Sequence, residues 1–94
     1  MARHKIRGKI WNVRRVPNLG KFLDLGQTRG SCDPPDKKNK EIKILSSLRG
    51  QELIEVLIHE GLHAAFWDID ETVIEQVADD LARLLAKEIT GLNE

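Results

Sequence analysis

The spacing of apolar residues changes near residue 50, and this change limits the folds open to the chain. The segment Glu41-Ile42-Lys43-Ile44-Leu45 alternates polar and apolar side chains, which is typical of a β-strand. From Gln51 onward, apolar residues recur every three or four positions, as they do in an amphipathic helix. This pattern predicts a helix that extends to about Phe66, with Ser46 or Ser47 capping its first turn.

A second helix is predicted after a short turn at Trp67-Asp68-Ile69. Asp70 is a suitable N-cap for it, and acidic residues follow in the first turn, where the helix dipole favours them. The apolar face of this helix continues at Ile74, Val77, Ala78, Leu81 and Leu85. Gly91 supplies its stop, so residues 47–94 are predicted to form a helical hairpin.

The first half of the chain predicts strands and loops. Apolar residues between Lys5 and Val16 alternate loosely with basic ones, which indicates an extended segment or a hairpin. With 94 residues, the chain has room for one domain. We therefore expect an α+β fold for residues 1–94, in which a small antiparallel sheet of about three strands packs on the helical hairpin. Residues 1–46 form the strand and loop region, and residues 47–94 form the hairpin.

Cysteine and charge content narrow the class of protein further. Cys32 is the only cysteine, so a metal ion rather than an internal disulfide is expected to reinforce this small fold. No apolar run approaches the roughly 18 residues that cross a bilayer, and the basic N-terminus lacks an apolar signal core, so we expect a cytoplasmic protein without a membrane partner.

Charge is divided between the two halves of the chain. Residues 1–50 hold 13 Lys and Arg against four Asp and Glu, whereas residues 51–94 hold two against 11. Attraction between the halves within one fold is the favoured interpretation. A basic surface for nucleic acid is the less favoured one, because little aromatic stacking surface accompanies the basic residues.

The motif H-E-x-x-H occupies residues 59 to 63 of the first predicted helix. Residues four apart lie on one face of a helix, so His59 and His63 can present both imidazoles to one metal ion. Glu60 lies beside them and is placed to accept a proton from a metal-bound water. The motif therefore predicts a single Zn²⁺ ion with Glu60 as the catalytic residue.

A catalytic zinc ion is expected to have a third protein ligand, and the second helix offers several acids. If the helices pair evenly across the turn, Glu75 lies between the positions opposite His59 and His63, which makes it the predicted third ligand. Glu71, nearer the turn, is the alternative. Asp79 is expected to accept the far N–H of a ligating histidine and so to fix its tautomer.

The segments His59-Glu60-Gly61-Leu62-His63 and Glu75-Gln76-Val77-Ala78-Asp79 together resemble the gluzincins, whose HExxH motif is followed by a glutamate motif on the next helix. The compact layout resembles small zincin-like proteins of phages and bacteria and the ImmA/IrrE-like peptidases. The resemblance implies a zincin-like fold, a metallopeptidase activity, and zinc ligation by the glutamate after the hairpin turn. The short spacing from His63 and the absence of tyrosine depart from these families.

The expected function is zinc-dependent peptide hydrolysis, in which a metal-bound water activated by Glu60 attacks a peptide carbonyl. An extended substrate is expected to pair with the edge of the strand at residues 41–45. With no tyrosine present, His4, Arg29 or another arginine is the candidate to stabilise the oxyanion. The alternative is an inactive or structural-zinc module that contacts protein or nucleic acid through the basic N-terminal half, with Cys32 as one route to a fourth ligand.

Overall fold

A computed structural model describes residues 2–20 and 28–89 of the chain. Four strands precede two helices in the sequence. The strands are β1 (Ala2–Ile6), β2 (Lys9–Val16), β3 (Gly30–Cys32) and β4 (Glu41–Leu45), and the helices are α1 (Gly50–Ala65) and α2 (Glu71–Glu88). The expected α+β fold, a small sheet with a two-helix hairpin, is confirmed.

The sheet has one more strand than expected and is mixed rather than antiparallel. Its strand order is β1-β2-β4-β3. β1 pairs antiparallel with β2, and β3 antiparallel with β4, but β2 and β4 run parallel, with Asn12 opposite Glu41 and Val16 opposite Leu45. The additional strand has only three residues, Gly-Ser-Cys, which is too short to show a period of two. β3 is antiparallel to β4, so the chain reverses direction between them and β4 then runs parallel to β2.

The β1–β2 hairpin depends on a tight two-residue turn at Arg7 and Gly8. Their φ angles are +48° and +83°, and the flanking residues Ile6 and Lys9 are paired. Positive φ at both central residues is the signature of a type I′ turn, whose twist matches that of the strands. Glycine adopts this conformation without steric cost, whereas Arg7 needs support from contacts elsewhere in the fold.

The core lies between the sheet and α1. It contains Trp11 of β2 and three residues of β4, Ile42, Ile44 and Leu45. Leu48 of the following loop and two residues of α1, Val56 and Ala64, complete it. Trp11 is fully buried, and its indole N–H donates to the backbone oxygen of Asp33 at 3.1 Å. This hydrogen bond satisfies the polar edge of the largest core side chain.

The two helices begin in different ways. Arg49 is the N-cap residue of α1 and makes no capping hydrogen bond through its side chain, so the expected cap at Ser46 or Ser47 is wrong. The Ser46 N–H instead donates to Val16 at the end of β2, at 2.7 Å. Asp70 does cap α2 by accepting from the Thr72 N–H at 2.7 Å. Within the described ranges, no helix is long and apolar enough to cross a membrane.

Strand β3 approaches α1 closely at Gly30. A Cβ atom placed on Gly30 would lie 2.7 Å from Val56 Cγ1 and 2.9 Å from Glu60 Oε2. Both distances are shorter than real Cβ contacts, so this approach requires glycine. The contact fixes the separation between the edge of the sheet and the helix that carries the HExxH motif.

Gly30→Ala is therefore expected to lower the free energy of unfolding by about 1–3 kcal/mol, since the added methyl group overpacks the β3–α1 contact. Urea denaturation measures this change. The matched control is Gly61→Ala within α1, where an added Cβ meets nothing within 4 Å. This control is expected to raise stability by up to about 1 kcal/mol, the helix-propensity difference between the two residues. Equal stability of Gly30→Ala and the parent would contradict the close packing.

Candidate metal centre

Helix α1 places His59 and His63 on one face, one turn apart. Their ring centroids lie 4.9 Å from each other, and both side chains are about one-fifth exposed. The buried residues of the same helix, Val56, Glu60 and Ala64, are also four positions apart, and Glu60 and Ala64 each directly follow one of the two histidines. The register of α1 therefore directs one stripe into the core and the two imidazoles away from it.

Glu71, the first residue of α2, joins the two histidines. Its Oε1 lies 2.8 Å from His59 Nε2, and its Oε2 lies 2.8 Å from His63 Nε2. The Asp70 cap fixes where α2 starts, and the N-terminus of a helix favours a carboxylate because of the helix dipole. One carboxylate thus contacts both imidazoles at the end of the helical hairpin.

The three side chains fit a zinc ion in composition and in spacing. Each offers one ligand atom, and these atoms all lie within 4.8 Å of one another. Neighbouring ligands of a tetrahedral zinc ion lie about 3.3 Å apart, given bonds of about 2.0–2.1 Å. The present 2.8 Å contacts need to lengthen only slightly to reach that separation. Two imidazoles and one carboxylate form the donor set of a zinc site that keeps an open position.

The predicted ligand Glu75 is not part of this group. It lies one turn further along α2, is exposed, and does not belong to the His59, His63 and Glu71 cluster. The even pairing of helices assumed from the sequence fails because the turn is tight. The Ile69 N–H donates to the oxygen of Phe66, and α2 then starts at Glu71, directly beside the end of α1. Asp79 pairs with Arg83 on its own helix, not with a histidine.

Glu60 is the buried charged residue of α1, with a relative exposure of 7%. Burial, and secondarily the negative charge of Glu71, raises the pKa of its carboxyl group from 4.5 to about 7. A general base is most effective when its pKa lies near the working pH. The environment of Glu60 therefore brings the pKa of its carboxyl group close to neutral pH.

A small cleft of about 160 Å³ opens between β3 and α1, next to the cluster. His59, Glu60, Gly30 and Arg29 line it, together with Glu55 and Val56. The Arg29 guanidinium is held by Glu52 at 3.1 Å and by Glu55 at 3.7 Å. Of the two basic residues named for the oxyanion, Arg29 is thus at the cleft, whereas His4 lies on β1 at the opposite end of the strand order.

Cys32 lies near this region but is not among the clustered donors. Its Sγ donates to the backbone oxygen of Asp33 at 3.4 Å. Burial, with a smaller effect from the charges of Glu60 and Asp33, raises the pKa of the thiol to about 12. A neutral thiol is a poor metal ligand, because zinc binds the thiolate. Its environment therefore disfavours Cys32 as a fourth ligand.

Comparisons with protein-family models, with curated proteins and with solved structures found no match. The resemblance to gluzincins thus remains a prediction from the motif, and the interpretation of the site depends on its own geometry.

Glu71→Ala is expected to weaken zinc binding by more than about 100-fold, since loss of a ligand exceeds the 10- to 100-fold effect of losing a group that supports one. Glu75→Ala is the matched comparison, because it removes an exposed glutamate one turn along the same helix. It is expected to bind zinc within about twofold of the parent protein. Competition with a chromogenic chelator measures all three affinities. Loss of zinc in Glu75→Ala, with retention in Glu71→Ala, would restore Glu75 as the ligand.

Proposed function

We propose that the protein is a zinc-dependent hydrolase that cleaves peptide bonds. The observation that carries the proposal is the convergence of His59, His63 and Glu71, with the buried carboxyl group of Glu60 beside them on α1. Two imidazoles, one carboxylate ligand and a separate glutamate of raised pKa are the groups required by metal-assisted hydrolysis.

In this proposal His59, His63 and Glu71 would hold the ion. A zinc ion in such a site polarises a carbonyl group and lowers the pKa of water toward about 7. Glu60 accepts the proton of the attacking water and then delivers it to the leaving amine. Burial raises the pKa of this carboxyl group to about 7 in the metal-free protein, close to the neutral pH at which a general base is most effective.

In this proposal the extended substrate pairs with β3. The sequence alone predicts pairing with the strand at residues 41–45. That strand, β4, lies between β2 and β3, so both of its edges are already paired. In the described part of the chain, β3 pairs with β4 alone and borders the cleft beside Glu60. A peptide added to β3 would gain main-chain hydrogen bonds beside the cleft that Gly30, His59 and Glu60 line.

Arg29 is the proposed oxyanion-stabilising group. It immediately precedes β3 and lines the cleft with His59 and Glu60. Glu52 and Glu55 hold its guanidinium, which limits its motion and leaves some of its five N–H donors for a substrate oxygen. A positioned cation at a developing negative charge supplies the stabilisation that tyrosine or histidine gives in other hydrolases.

A structural-zinc module remains the alternative function. Such a site needs four protein ligands, whereas the cluster in the described residues offers three, and the raised pKa of Cys32 disfavours a thiolate. This difference favours the open, catalytic arrangement. The cytoplasm remains the proposed compartment, since it keeps a single cysteine reduced.

Glu60→Gln is expected to lower peptide hydrolysis by about 10²–10⁴-fold, because glutamine has a similar shape but cannot accept the proton. Zinc affinity should stay within a few-fold of the parent protein, because Glu60 does not belong to the donor cluster. A quenched-fluorescence peptide library measures hydrolysis, and chelator competition measures zinc.

The control is Glu88→Gln at the exposed end of α2, which removes the same charge and should leave the rate unchanged. Hydrolysis by Glu60→Gln at the parent rate would refute the general-base assignment. Tight zinc binding by the parent without cleavage of any library peptide would favour the structural-zinc alternative.

A further inference from the structure

A second and larger cavity, of about 510 Å³, lies at the turn between the two helices. One wall is the turn itself, where Phe66, Trp67 and Ile69 are each just over 40% exposed. Three large apolar side chains on one short exposed turn leave considerable apolar surface in contact with water. Such surface, gathered in a concave site of this volume, is typical of a ligand-binding site.

The opposite wall comes from the β1–β2 hairpin and carries positive charge. Arg7 of the tight turn and Lys9, the first residue of β2, line it. The Arg7 Nη1 donates to the backbone oxygen of Ala65 at 2.9 Å, and its guanidinium lies 5.3 Å from the centre of the Phe66 ring. These contacts tie the hairpin to the end of α1 and provide the support that the positive φ of Arg7 requires. The cation is therefore held in place before any ligand binds.

Trp67 lies between the cavity and the proposed metal centre. The Trp67 ring lines the cavity, and its edge faces His63 with the ring centroids 6.2 Å apart. A peptide residue in the cavity would thus lie one aromatic ring away from a proposed zinc ligand.

We propose that this groove, lined by Arg7, Lys9, Phe66, Trp67 and Ile69, binds a peptide substrate in which an acidic residue stands next to a large apolar residue. The inference rests on the proposed hydrolase function and specifies its substrate class. The apolar turn takes the side chain, and the two cations take the carboxylate. Asp68 also lines the groove and disfavours a basic neighbour in the substrate.

Charge complementarity selects this occupant over a nucleic acid. The groove holds two cations and one carboxylate, so a polyanion would gain little from it, whereas a single carboxylate beside an apolar residue matches both walls. Burial of the aromatic turn by the substrate also supplies the apolar contact that a short peptide needs for measurable affinity.

Binding of a dye-labelled octapeptide with a central Glu-Phe-Glu sequence tests the proposal by fluorescence anisotropy. The full chain carrying Glu60→Gln is used so that the probe is not cleaved. Probes with Lys-Phe-Lys and Glu-Ala-Glu at the same positions should each bind about 10-fold more weakly or worse. An oligonucleotide that bound more tightly than the acidic peptide would overturn the proposal.

Variants of the groove supply the second half of the test. Trp67→Ala and Lys9→Ala should each weaken binding of the acidic probe several-fold. Arg7→Asn should do the same while keeping the turn, since Asn-Gly is a preferred type I′ sequence. Arg3→Gln on β1, which does not line the groove, is the matched control and should bind like the parent. Unchanged affinity in all three groove variants would overturn the assignment.

The experiment is repeated with EDTA in place of zinc, so that the groove and the zinc site are judged separately. If the groove variants weaken binding of the probe in EDTA, the groove assignment is supported even if no zinc-dependent peptide hydrolysis is found. Probe binding that depends on zinc but not on the groove residues would overturn the groove and leave the hydrolase proposal standing.

Discussion

Packing of α1 against the sheet is the constraint on which the rest of the structure depends. The stripe Val56, Glu60 and Ala64 is buried, and Gly30 allows β3 to reach it closely. Because adjacent helix positions differ by about 100°, this burial directs His59 and His63 toward the start of α2. The same contact buries Glu60 and raises its pKa. The core and the proposed catalytic group therefore share one helix face.

Much of the site was predictable from local periodicity. The 3.6-residue pattern placed His59 and His63 on one helix, and Asp70 was recognisable as the N-cap of the next. The sequence favours Glu75 over Glu71 as the third ligand, because it shows that a turn exists without showing how tightly the turn brings α2 against α1. The first residue after a well-defined N-cap is the signal that favours Glu71.

The topology of the sheet was less predictable. The alternation in residues 41–45 predicts β4, and the pattern from Lys5 to Val16 indicates an extended segment or a hairpin, which covers β2 but only the end of β1. The parallel pairing of β2 with β4 depends on contacts between distant segments, and the three residues of β3 are too few to show a period. The edge strand to which we propose that the substrate pairs, β3, therefore left the weakest pattern in the sequence.

Opposite charge in the two halves is partly neutralised within the fold. Arg29 beside β3 pairs with Glu52 and Glu55 of α1, and Arg7 bonds to the end of the same helix. Exposed pairs of this kind contribute at most about 1 kcal/mol each, so they orient segments more than they stabilise them. A zinc ion bound by both helices would add a stronger link, which suits a chain of this size.

X-ray absorption of the zinc-loaded protein tests the central claim most directly, because it reports the donor atoms themselves. The account predicts one equivalent of zinc with four nitrogen and oxygen neighbours, two of them imidazole nitrogens, at about 2.0–2.1 Å. A sulfur neighbour at about 2.3 Å would place Cys32 in the site and contradict an open catalytic centre. Failure to take up zinc at all would contradict the metal centre itself.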